Sequence, residues 1–228
     1  MKALVIAVIA MFICIAAILV FAMNPSLLRN LMGLGSSSSV LTTVYTVKNM
    51  SSIDVEMRGG SLTIVVSNTL PYRVEANTGC SVSVSGLKHL EIVIEGSSCR
   101  VVVEAPPHLN YVTLYARKGS IEIDGLSLDT LAATLISSSS TLNGVLIKQS
   151  LYLYLFSSRA ELNGVEMARG SSGKIELFSS ALKADFSDRV RALLDACMSS
   201  VSNNGCTSGP LLRVLARTSS VVLSCPRT

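Results

Sequence analysis

Three short segments, Asp124-Gly125-Leu126, Asn143-Gly144-Val145 and Asn163-Gly164-Val165, recur at steps of 19 and 20 residues. A second set, Leu135-Ile136-Ser137, Leu155-Phe156-Ser157 and Leu177-Phe178-Ser179, recurs at steps of 20 and 22. A strand-like segment and an Asx-Gly turn about every twenty residues mark a repeat architecture. In a parallel β-solenoid each repeat forms one coil, and equivalent positions on successive coils lie about 4.8 Å apart. Asp124, Asn143 and Asn163 are then expected to stack as a turn column at one corner. The glycine after each supplies the positive φ that such a corner needs. Leu131, Ala133 and Leu135 stack under Leu151, Leu153 and Leu155 to fill the interior, while Tyr152, Tyr154 and Phe156 face outward or into a second layer.

From about residue 44 the chain reads as short strands. Ile53 and Val55, then Leu62, Ile64 and Val66, then Leu90, Ile92 and Ile94 alternate with their neighbours, as do Val112, Leu114 and Ala116. A period of two argues for half-buried strands. Gly59-Gly60, Pro71, Gly79, Gly96 and Pro106-Pro107 punctuate them with no helical runs between, which argues against a β/α/β sheet. Two all-β architectures remain. The near-constant step favours a solenoid from about residue 110 onward; before that the repeat is looser, and a sandwich-like entry stays open.

Val101-Val102-Val103-Glu104-Ala105-Pro106, Val112-Thr113-Leu114 and Gly119-Ser120-Ile121-Glu122-Ile123-Asp124-Gly125-Leu126 together resemble the putative-adhesin β-strand-repeat family of envelope domains. The resemblance covers roughly residues 50 to 185. The family's Ser-Gly order is reversed here at Gly119-Ser120 and becomes Ser-Ser in later coils. The resemblance implies a β-solenoid and an adhesin role, and it supplies no catalytic residues.

Residues 3–23 carry no charge and follow Lys2. At 1.5 Å per residue they span roughly 30 Å, the thickness of a bilayer core. They read as a transmembrane signal anchor held by membrane lipid, with the N-terminus cytoplasmic and the bulk of the chain extracytoplasmic. The rival reading is a cleaved signal peptide, with Val20-Phe21-Ala22 offering a small residue for cleavage. Residues 24–43 read as a juxtamembrane helix and a Ser/Gly spacer, 44–186 as the solenoid, and 187–228 as a capping helix with a final coil. Ser187 is placed to cap that helix, with Asp188 in its first turn.

Of the six cysteines, Cys80 and Cys99 are 19 residues apart, as are Cys206 and Cys225. That is the coil step, so each pair is expected to bridge neighbouring coils at a Cα separation a disulfide accepts. Cys197–Cys206 is the alternative for the C-terminal trio. No pair is spaced as a zinc ribbon or thioredoxin site.

Net charge is +4 with no long Lys/Arg run, which argues against a nucleic-acid partner. His89 and His108 lack carboxylates at ligand spacing, so no metal or cofactor is expected. No phosphate loop or nucleophile elbow is present. Glu122 and Glu161, two coils apart, are the basis of an enzymatic alternative, a polysaccharide-cleaving β-helix. The serine runs, with Ser138 and Ser158, read as solvated corners or as a hydroxyl face that Tyr152 and Tyr154 extend with aromatic platforms. The sequence therefore points to a non-enzymatic, membrane-tethered module with a structural, adhesive or interaction role. Its partner is a surface protein or glycan, and self-association into a surface filament or envelope assembly is the alternative.

Overall fold

Alternating apolar residues make strands only where neighbouring strands satisfy their backbone groups, and here those neighbours come from distant parts of the chain. The computed structural model describes residues 40–226, so the anchor, the juxtamembrane helix and Cys14 lie outside the described residues. Every element among the described residues is a strand. The first six are β1 (Leu41–Val47), β2 (Ser52–Val66), β3 (Tyr72–Asn77), β4 (Ser81–Ser85), β5 (His89–Glu95) and β6 (Arg100–Ala105). Next come β7 (His108–Asp124), β8 (Ser127–Ile136), β9 (Ser139–Asn143), β10 (Leu146–Phe156), β11 (Arg159–Met167), β12 (Ser172–Phe178) and β13 (Ala181–Phe186). The chain closes with β14 (Arg191–Cys197), β15 (Ser200–Asn204), β16 (Leu211–Arg217) and β17 (Ser220–Ser224).

Parallel pairing dominates. In one ladder Leu135, Leu155 and Leu177 stand in register, followed by Ala216. All four are buried. In a second ladder Ile123, Leu142, Leu162 and Ala184 do the same. A third, shorter ladder joins Leu109, Leu128 and Ile147, with Ile147 in register with Met167. The interior between these sides is almost wholly aliphatic.

The coils do not stack in sequence order. β2 lies between the β5–β6 coil and β7, because its first half pairs with β5 and β7 and its second with β6 and β7. At the other end β16 lies between β12 and β14, and β17 between β13 and β15. The β14–β15 coil is therefore outermost, although the chain continues past it. The first end is covered by antiparallel strands: β4 on β5, β3 on β6 and β1 on β3. The looser repeat before residue 110 is thus made of two parallel coils and a three-strand cover.

The helix expected from Ser187 is absent; residues 191–197 form β14. The backbone groups of seven residues are better satisfied by the in-register ladder with β16 than by an isolated short helix, which is marginal in water. Asp188 accepts a bond from its neighbour Arg189 N–H, at 2.7 Å, and caps no helix.

Both expected disulfides are formed, with Cα separations of 4.8 Å for Cys80–Cys99 and 5.1 Å for Cys206–Cys225. The second joins adjacent parallel coils, as the spacing argument requires. The first does not: Cys80 lies in the covering β3–β4 turn, facing Cys99 across antiparallel pairs. Cys197 is unpaired and exposed. Beside Cys99, Gly60 has φ +83°, and a Cβ there would lie 2.5 Å from the Cys99 carbonyl oxygen. That approach lets Ser61 N–H donate to the same carbonyl at 2.7 Å.

Leu155 sits in the middle of the leucine column with no accessible surface. Leu155→Ala is expected to cost about 2–5 kcal/mol of unfolding free energy, read from denaturant titration. An unchanged midpoint would contradict this packing.

Candidate interaction face

From β7 onward each coil turns from its first side to its second through one residue with left-handed backbone. These are Lys118, Ser137, Ser157, Ser179, Met198 and Thr218, with φ between 49° and 55°. None of them is glycine, so the strain must be offset locally. At the last five of these corners the following residue is a serine, and its hydroxyl does this. Ser158 Oγ donates to the Phe156 carbonyl at 2.8 Å and accepts from Ser138 N–H at 3.1 Å. The pattern passes from coil to coil: Ser158 N–H to Ser180 Oγ, Ser180 N–H to Ser219 Oγ, and Ser219 N–H to Ser199 Oγ. The order 158, 180, 219, 199 follows the interleaved stack.

This overturns the hydroxyl face expected at Ser138 and Ser158. Both are buried, and their hydroxyls serve the neighbouring coils. An open depression of about 990 Å³ runs along this corner beside Lys118 and Arg159. The turn residues Asp124, Asn143 and Asn163 do stack: Asn143 Nδ2 donates to Asp124 Oδ1 at 2.7 Å, and Asn163 Nδ2 to Asn143 Oδ1 at 3.0 Å. Gly125 and Gly144 follow at φ 67° and 57°.

Tyr152 and Tyr154 occupy the outer surface of the first ladder, because the leucines between them take the inner one. The register places Tyr152 between Ala132 and Lys174, Tyr154 between Thr134 and Glu176, and Phe156 between Ile136 and Phe178. Tyr152 Oη donates to Glu176 Oε2 at 3.0 Å, and Lys174 Nζ lies 2.7 Å from Glu176 Oε1. Lys174 Nζ also stands 5.9 Å from the Tyr152 ring centre. The Tyr154 and Phe178 rings are 5.7 Å apart and tilted, and Phe156 is 47% exposed. The hydrogen bond from Lys174, followed by that from Tyr152, holds the Glu176 carboxyl below its ordinary range against the opposing effect of burial. Burial first, then the bond to Glu176, pushes the Tyr152 phenol up. At neutral pH the trio is therefore ammonium, carboxylate and neutral phenol.

Two depressions flank Lys174 on this face. One, about 390 Å³, is lined by Ser150, Tyr152, Ser172, Lys174, Leu211 and Arg213. The other, about 420 Å³, is lined by Lys174, Glu176, Leu193, Leu194, Asp195 and Arg213. The sequence reading missed Lys174, Glu176 and Arg213. Residues 174 and 176 could have been found by adding the coil step of 22 to Tyr152 and Tyr154; Arg213 could not, because its coil is out of sequence order.

The histidines do not stack on adjacent coils. His89 stands in register with Ser52, with Ser52 Oγ and Tyr111 Oη at 2.9 and 3.0 Å from its Nδ1. Ser52 is buried, which closes this serine–histidine contact to a substrate. His108 lies on the short third side, its Nε2 3.7 Å from Asp129 Oδ1. Among the described residues no group of three or more His, Cys, Asp or Glu is placed to hold a metal ion. Glu122 and Glu161 stand in register with Thr141 between them, Glu161 paired with Arg159 and Glu122 accepting from Asn143.

No family model and no curated protein matches the chain. Among solved structures it is similar to a putative cell adhesion protein from Clostridium sporogenes, at 9% identity over 82% of this chain and 98% of that one, with a TM-score of 0.47. It is also similar to putative adhesins from Bacteroides fragilis, at 12% identity and a TM-score of 0.37, and Parabacteroides distasonis, at 11% and 0.34. Both cover 82% of this chain and 98% of theirs.

The serine ladder should matter to stability rather than to binding. Ser158→Ala removes an acceptor for a buried N–H and is expected to cost about 1–3 kcal/mol, read as a lowered melting midpoint. A variant as stable as the parent would show that the ladder is incidental.

Proposed function

We propose that this chain is an extracytoplasmic β-solenoid, tethered to the membrane through residues 3–23, that presents the Tyr152–Tyr154 face to a surface glycan or protein. The observation that carries the reading is this outward face. Three adjacent aromatic positions on β10, extended by Phe178 on β12, stand beside fixed charges on a rigid ladder. Aromatic rings oriented by neighbouring polar groups give contact area at little conformational cost, which suits an adhesive rather than a reactive surface. Two disulfides support an oxidising compartment. The β14–β15 coil lies seven coil spacings beyond the β5–β6 coil, roughly 34 Å at 4.8 Å each.

A second reading, assembly with further copies, draws on that far coil. β14 and β15 pair in parallel on one side only, and Leu193 and Met198 are 53% and 83% exposed. Unpaired strand edges of this kind are open to pairing with another chain. The covered opposite end disfavours head-to-tail growth, so a closed pair of copies is expected rather than a filament.

Cells displaying the full chain are expected to adhere to a surface glycan or protein, and Tyr154→Ala with Phe156→Ala is expected to abolish this while leaving the unfolding free energy within about 1 kcal/mol of the parent. Adhesion unchanged by that double variant would overturn the aromatic-face reading. A mass of two copies in sedimentation, lost on Leu193→Glu, would favour assembly.

A further inference from the structure

We propose that the depression between Tyr152 and Arg213 binds a carboxylate-bearing sugar unit of an acidic polysaccharide. The inference rests on the reading of this face as a binding surface and names its ligand class.

The register places Lys174 and Arg213 directly beside each other on adjacent coils, pointing the same way. Like charges in register are unfavourable. Glu176 compensates only one of them, since it pairs with Lys174. Among the described residues Arg213 has no carboxylate partner, and no acidic side chain lines this depression. One positive charge is left over at a site walled by Tyr152, Ser150 and Ser172. A guanidinium fork matches a carboxylate in two parallel hydrogen bonds, which an ammonium cannot do.

The remaining walls fit a sugar better than a small anion. The Tyr152 ring is fixed by its bond to Glu176 and offers a π-face on which the C–H side of a pyranose can lie. Ser150 and Ser172 are in register on adjacent coils, so their hydroxyls repeat at one strand spacing, about 4.8 Å. That spacing is comparable to the length of one pyranose unit, so a chain running along the stack presents about one sugar per coil. The floor of the depression is Gly173, whose neighbours Leu151 and Leu212 are buried, so the site is a shallow trough on a rigid base. The hydrogen bond from Lys174 to Glu176 raises the ammonium's pKa, so this neighbour stays charged across the neutral range.

The test uses the full chain in detergent micelles and oligogalacturonate, with its methyl-esterified neutral form as the comparison. Calorimetric titration is expected to show binding of the acidic oligomer, weakened by added salt, and at least tenfold weaker binding of the neutral one. Arg213→Gln should weaken acidic binding by about 10- to 100-fold, the scale of a lost charge-assisted hydrogen bond, with the melting midpoint unchanged. Arg213→Lys, which keeps the charge and loses the fork, should fall between. Equal binding of both oligomers, or acidic binding indifferent to Arg213→Gln, would overturn the proposal. If the Tyr154→Ala, Phe156→Ala double variant still abolished adhesion in that case, the reading of the face would stand without it. No binding of the acidic oligomer overturns the proposal, and a sulfated but not a carboxylated glycan binding there overturns the carboxylate assignment.

Discussion

Backbone hydrogen bonds between coils are the interaction on which everything else depends. A strand of five to seventeen residues has no partner of its own, and each one here obtains its donors and acceptors from the strands beside it, most of them on neighbouring coils. Once that pairing is parallel and in register, side chains one coil apart must point the same way. The leucine column, the serine ladder, the asparagine ladder and the aromatic face are four consequences of that single constraint. Three of them hold the coils together, through apolar burial or through hydrogen bonds that run along the stack. The fourth is left facing solvent.

The two hydroxyl and amide ladders show how an outward-looking pattern becomes internal. The corner residues Ser137, Ser157 and Ser179 adopt left-handed backbone, and the serines after them turn inward. A small side chain that both donates and accepts can meet the orphan N–H of the next coil and the carbonyl two residues back. Alanine would leave the N–H unpaired, and a larger residue would not fit inside the corner. What the buried serines of these runs contribute is cohesion along the axis.

Much of the architecture was legible in the sequence because the repeat is strict where the coils are regular. Steps of 19 to 22 residues identify the residues that share a column from Asp124 to Phe178, and the alternation of Leu151, Leu153 and Leu155 identifies their inner side. Three features were not legible. The chain after Ser187 has helical spacing, yet the open end of the stack offered a ladder that no local pattern announces. The stack order was hidden, because nothing local distinguishes a coil added at the end from one inserted behind its predecessor. The bridge Cys80–Cys99 was expected from coil spacing and is formed for another reason, since the covering strands run antiparallel. The Lys174–Arg213 pair was invisible for the same reason as the stack order: it joins residues 39 apart, not 20.

The interleaved order is the most specific claim in this account, and Cys197 provides a direct reporter. Cys197 stands in register with Arg217 on the neighbouring coil. Phe178 lies 19 residues before Cys197, where simple sequence-order stacking would place its neighbour. Peptide mapping under non-reducing conditions should therefore find a disulfide to Cys197 in the Arg217→Cys variant and none in Phe178→Cys, because adjacent parallel positions fall within disulfide reach and positions two coils apart do not. A bridge in Phe178→Cys and a free thiol in Arg217→Cys would contradict the fold.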